Sequence, residues 1–279
     1  MNSTLPQLHF QTSGPRTALP IVFLHGGGAG SWMWEKVMAL LPQYYCLAPD
    51  LPEQGQSRDA GPFSVETAAR ITADLIQFHL PGRKAAVVGL SEGAQVAVAM
   101  LSQFPEIIEK AMISSALLRP LPGMSLLTPA LLAWSYRSTM APFRNSDFWI
   151  RLNMKYSAGI PDEYYPAFKK EFQGMTESGF VHLMDSSLHF ILPEGLNKAE
   201  IPALVIAGKK EYSAMKKSAL DLSSALPRAQ AYLLDLGPKS SLAKEHNWAM
   251  TVPDLFARTV HAWITGKPLP PQLSPLSRM

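Results

Sequence analysis

Residues 85–100, AAVVGLSEGAQVAVAM, leave a chain few ways to fold. Ala85 to Val88 is a short, apolar run that suits a buried strand, and Glu92 to Met100 is rich in alanine and spaced for a helix. Ser91 stands on the corner between them. A strand that enters a helix through a single residue needs a very tight turn, and Gly89 and Gly93 remove the Cβ atoms that would clash with it. The serine is thereby forced into a strained backbone conformation with its hydroxyl held clear. The helix starting at Glu92 then aims unpaired N–H groups at negative charge forming beside that hydroxyl. This is the geometry of a nucleophile. The competing reading is a serine that merely caps a helix, and the rest of the chain has to decide between them.

Similar apolar runs recur at 19–26, 44–51, 109–116, 201–209 and 229–237. Helical patterns lie between them at Ser31–Leu41, Ser64–Leu80, Met215–Leu226 and Pro253–Thr265. The alternation predicts an α/β fold: a mostly parallel sheet with helices on both faces. LHFQTS near the start predicts an antiparallel edge strand. The alternation fails between Arg119 and Glu200, where about 80 residues rich in aromatics and methionine carry no strand pattern. We expect a helical cap there, residues 119–199, inserted into a core domain of residues 1–118 and 200–266. Some of its aromatics should face the carboxyl edge of the sheet, where α/β folds bind ligands. Residues 267–279 read as a proline-rich tail.

With 279 residues, 47% hydrophobic and 17% charged, the chain can bury a substantial core. Its 25 basic and 22 acidic residues give a net charge of +3, and the Lys-Lys pairs at 169, 209 and 216 are scattered, so no nucleic-acid surface is expected. Cys46 is the sole cysteine and excludes an intrachain disulfide or a thiolate metal cluster. No His-Glu-x-x-His or comparable cluster suggests a metal. HGGGAGS lacks nucleotide-loop spacing, because Ser31 occupies the place of the third glycine. No cofactor is expected. The N-terminus has no basic region followed by an apolar stretch, and no apolar run approaches a membrane span, which predicts a soluble, cytoplasmic protein.

Four stretches, in order, resemble the α/β-hydrolase fold family: VFLHGGGAGSWMW, LAPDLPEQGQS, VVGLSEGAQVA and KEHNWAMTVPDLF. The resemblance covers roughly residues 8–118 and 200–266. It implies a serine hydrolase in which Ser91 attacks a carbonyl, and Ser91 needs a base. Of seven histidines, His9 is near the edge strand, His79 ends a helix, His182 and His189 fall in the cap, and His261 lies within the final helix. The family uses the histidine of the His25-Gly26 turn structurally. His246 lies between the last core strand and the final helix, at the carboxyl edge, and is the expected base. The family's usual acid position falls on Glu211, with glutamate for the commoner aspartate; Asp235 and Glu245 are the fallback candidates. The oxyanion donors should be the backbone N–H of Glu92 and, by resemblance, that of Gly27.

The expected substrate is an apolar ester or lactone of small or medium size. C–C bond hydrolysis and hydroxynitrile lysis use the same triad, and a non-catalytic ligand-binding member keeps the same fold. Lys244-Glu245 precedes His246 where the family usually has a glycine, and Lys209 and Lys210 adjoin Glu211.

Overall fold

The structure, a computed structural model, describes residues 8–120 and 123–277. Among the described residues, eight strands form one sheet: β1 (Phe10–Ser13), β2 (Pro20–Leu24), β3 (Tyr45–Pro49), β4 (Ala85–Leu90), β5 (Ile108–Ser114), β6 (Ala203–Gly208), β7 (Ala229–Leu234) and β8 (Leu273–Pro275). Their order across the sheet is β1-β3-β2-β4-β5-β6-β7-β8. Strands β2 to β7 are parallel; β1 and β8 run antiparallel at the two edges.

Eleven α-helices connect them: α1 (Glu35–Ala39), α2 (Val65–His79), α3 (Glu92–Gln103), α4 (Pro129–Thr139), α5 (Asp147–Leu152), α6 (Tyr165–Gly174), α7 (Glu177–His189), α8 (Ser213–Ala225), α9 (Leu242–His246), α10 (Trp248–Thr251) and α11 (Pro253–Thr265), among the described residues. The strands read as unbroken apolar runs because both faces of the sheet are covered. Val22 and Leu24 of β2 join the core beneath α2, α3 and α8, whereas Ile21 and Phe23 join the one beneath α1, α10 and α11. All four are fully buried, and each such side chain contributes roughly 1.5–3 kcal/mol of transfer free energy. Trp34, Trp248 and Phe256 fill the second core, with the Phe256 ring 5.4 Å from Trp34 and 4.4 Å from Trp248.

Local chemistry sets the helix ends. The Ser64 hydroxyl caps α2 by accepting from Thr67 N–H, and α11 opens on Pro253 and stops at Gly266, whose φ is +68°. Between β5 and β6 the chain runs through α4, α5, α6 and α7 with no strand among the described residues. Tyr136 of α4 packs on Phe180 of α7 and donates its hydroxyl to Met175 O at 2.7 Å. This helical insertion is tied to the loops at the carboxyl ends of the strands. Ser186 Oγ accepts from Val65 N–H, and His182 Nδ1 meets the Glu53 carboxylate at 2.9 Å.

The proline-rich segment does more than leave the domain. Leu273–Pro275 pairs with β7, and Asp235 N–H and Leu276 N–H donate across to Gln272 O and Ala231 O. No helix among the described residues is long and apolar enough to cross a membrane.

Candidate active site

Ser91 sits between β4 and α3 at φ 56°, ψ −116°, a conformation that costs a non-glycine residue of order 1–3 kcal/mol. The two glycines around it are required by contact. A Cβ on Gly93 would stand 2.2 Å from Leu24 O, and one on Gly89 would stand 2.4 Å from Gly93 O. The Ser91 side chain caps no helix N–H, so the capping alternative does not describe it. Its hydroxyl lines a cavity of about 500 Å³ together with His246, Gly26, Gly27 and Gly28.

His246 is the last residue of α9, a five-residue helix inside what the sequence presented as a loop, started by a Ser241 side-chain cap. Its Nδ1 lies 2.6 Å from Glu211 Oε1. The Glu211 side chain is fully buried and its Oε2 accepts from Gly208 N–H at 2.7 Å. With Nδ1 engaged, Nε2 is the ring nitrogen left for chemistry, and no hydrogen bond joins it to Ser91 among the described residues. The other two carboxylates near this loop point elsewhere. Asp235 pairs with Lys209 Nζ at 2.7 Å, and Glu245 accepts from Lys210 N–H at 2.6 Å and Leu236 N–H at 3.4 Å.

The backbone N–H groups of Gly27 and Glu92 donate no hydrogen bond among the described residues. Gly28 N–H is already spent on Gln54 Oε1 at 2.7 Å. That bond fixes the amide of Gln54, whose Nε2 therefore donates to Glu92 Oε1 at 2.8 Å. Ser187 Oγ of α7 takes the other carboxyl oxygen of Glu92 at 2.8 Å. Burial pushes the Glu92 carboxyl up to about 7, against the opposing pull of the Gln54 and Ser187 hydrogen bonds.

Two further groups hold the floor. His25 is sealed in the core with Nδ1 on Gly26 O and Nε2 accepting from Leu51 N–H, both at 2.9 Å, and burial lowers its pKa. It ties the end of β2 to the end of β3. Burial works against ionisation of Asp50, but N–H groups of Ser31 and Gln56 outweigh it and hold its pKa below the usual range. Gln54, Ser187 and Glu171 are the site residues that sequence reading missed, and Glu245, a fallback acid there, instead holds the Lys210 and Leu236 N–H groups. Glu171 left a trace: it is a charged residue between Phe168 and Phe172, on the apolar stripe of α6.

A sequence model of the alpha/beta hydrolase family matches residues 21–259. The chain belongs to this family. The uncharacterized hydrolase YugF of Bacillus subtilis is 28% identical over 243 residues, 81% of this chain and 84% of that one. At 34% identity the matches are partial: the chain spans 37% and 41% of the lengths of two curated relatives, the second a pimeloyl-[acyl-carrier protein] methyl ester esterase of Nitrosomonas europaea. Among solved structures, the enol-lactonase of Burkholderia xenovorans LB400 superposes with a TM-score of 0.72 at 21% identity, over 92% of this chain and 96% of that one.

Proposed function

We propose that this hydrolase cleaves carboxylic esters or lactones of apolar small molecules through Ser91, His246 and Glu211, with no cofactor. The observation that carries the reading is the strained Ser91 sharing one cavity with a histidine whose Nδ1 is held 2.6 Å from a fully buried carboxylate. Glu211 fixes the tautomer and stabilises the imidazolium. His246 Nε2 takes the Ser91 proton as Oγ attacks the carbonyl. The Gly27 and Glu92 N–H groups hold the oxyanion. His246 then protonates the leaving alkoxide, and water attacks the acyl-enzyme by the reverse route.

The helical insertion acts in this reading as a cap. Met140, Ile160, Phe168, Phe172, Phe180 and Leu183 from it line the cavity, which supports a mainly apolar substrate. Names of relatives point the same way: one is an ester esterase and one a lactonase. The test is hydrolysis of a p-nitrophenyl ester series, acetate to decanoate, by the wild type and Ser91→Ala. Turnover by the wild type and a loss of about a thousandfold or more in the variant is expected. Equal rates in the two proteins would contradict the reading.

A further inference from the structure

The cavity wall carries one charged group that the proposed chemistry leaves unused. Among the described lining residues Glu171 is the only carboxyl, and no lysine or arginine accompanies it. Helix α6 brings it there on the same face as Phe168 and Phe172. Its side chain is 7% exposed. Oε2 is engaged: Gly55 N–H donates to it at 3.0 Å, and Arg58 Nη2 stands 3.7 Å away, spending its own hydrogen bonds on Gly55 O and Lys170 O. Oε1 accepts no hydrogen bond among the described residues, yet it is not sealed from solvent. Glu171 is itself one of the residues that line the cavity.

A carboxylate buried to this degree with one oxygen unmatched is costly unless a donor arrives from elsewhere. The neighbouring amides do not fill this role in the structure: Asn153 Nδ2 donates to Trp149 O and Asn247 Nδ2 to Ala158 O, and neither donates to Glu171. Glu171 is thus the one carboxyl among the described, mainly apolar lining residues.

We infer that Glu171 Oε1 receives a hydrogen-bond donor on the substrate, a protonated amine or a hydroxyl, carried on the apolar portion that fills the rest of the cavity. The inference rests on the reading of this cavity as the substrate site. It narrows the substrate class to esters or lactones with a donor head group. Burial raises the Glu171 pKa; Gly55 N–H and Arg58 oppose it, Asp50 adds to it and Lys170 detracts. A cationic partner is therefore the one that most favours the charged carboxylate.

Binding separates this claim from catalysis. Hexylammonium, 1-hexanol and hexanoate are titrated calorimetrically into the Ser91→Ala protein at about pH 8, and into the same protein carrying Glu171→Gln, which keeps an acceptor for Gly55 N–H. Hexylammonium should bind at least about tenfold tighter than hexanoate, the worth of a charge-assisted hydrogen bond, and Glu171→Gln should erase that preference. If 1-hexanol matches hexylammonium and both weaken in Glu171→Gln, the donor is a hydroxyl. Equal binding of hexylammonium and hexanoate with Glu171 intact, or no binding of either hexylammonium or hexanol, would overturn the inference even if the Gln variant failed to fold. Ammonium binding by a protein that hydrolyses no ester would sink the nucleophile assignment and leave this one standing; hydrolysis without donor preference would do the reverse.

Discussion

Glu92 links the reacting centre to the insertion through two different parts of one residue. Its backbone N–H is the proposed oxyanion donor, and its buried carboxyl joins Gln54, which holds Gly28, to Ser187 of α7. An unfolded glutamate titrates near 4.3, whereas burial lifts the folded group to about 7. Between these values the folded state holds the extra proton, so stability falls as pH rises through the window, by on the order of 3 kcal/mol. Glu92→Gln keeps both side-chain contacts and removes the titration. Urea melts at about pH 5 and about pH 8 should show the variant gaining on the wild type at the higher pH; an equal offset at both would refute the account. Glu211 obeys a different logic, because in the proposed triad its carboxylate orients His246. Glu211→Gln should lower kcat by about a thousandfold or more, and activity within about threefold of wild type would remove it from the triad. Glu245 shows why a lysine-rich acid loop is tolerable. Its buried carboxylate pins the Lys210 and Leu236 N–H groups while Lys209 turns outward to Asp235, so the loop is anchored by a residue that the family pattern does not signal.

The core strands were legible because a strand buried on both faces leaves an apolar run, and each of β2 to β7 overlaps one of the six runs that the sequence shows, β5 starting one residue ahead at Ile108. The edge strand β1 lies within LHFQTS, and α11 spans the helical pattern read at Pro253–Thr265. What was not legible is short or held by distant partners. Strand β8 is three residues among prolines, and only its pairing with β7 makes it a strand. Helix α9 is too short to show a period, and the boundaries of α4 to α7 depend on contacts with one another and with the core. Ending the chain at Gly266 tests the value of β8. It bares the hydrogen-bonding edge of β7, which should lower the melting temperature and promote association in sedimentation experiments. A monomer as stable as the full chain would show that β8 is dispensable.

Over the whole molecule, the parallel sheet delivers Ser91, Gly27 and the Glu211 loop to one edge, and the insertion closes the space above them. Ser91, His246 and Glu211 could be singled out in the sequence because each follows a strand that the sequence shows, and the structure brings His246 onto Glu211 and into one cavity with Ser91. Glu171 and Ser187 belong to the insertion, where no strand fixes the register, so their part in the site emerges only once α6 and α7 are packed. The central claim is that this assembly activates Ser91. Reaction with a fluorophosphonate, followed by intact-protein mass spectrometry on the wild type, Ser91→Ala and His246→Ala, tests it most directly. A single adduct on Ser91 is expected in the wild type, none in Ser91→Ala and sharply slowed labelling in His246→Ala. A wild type that stays unlabelled, or an adduct that persists in Ser91→Ala, would contradict it.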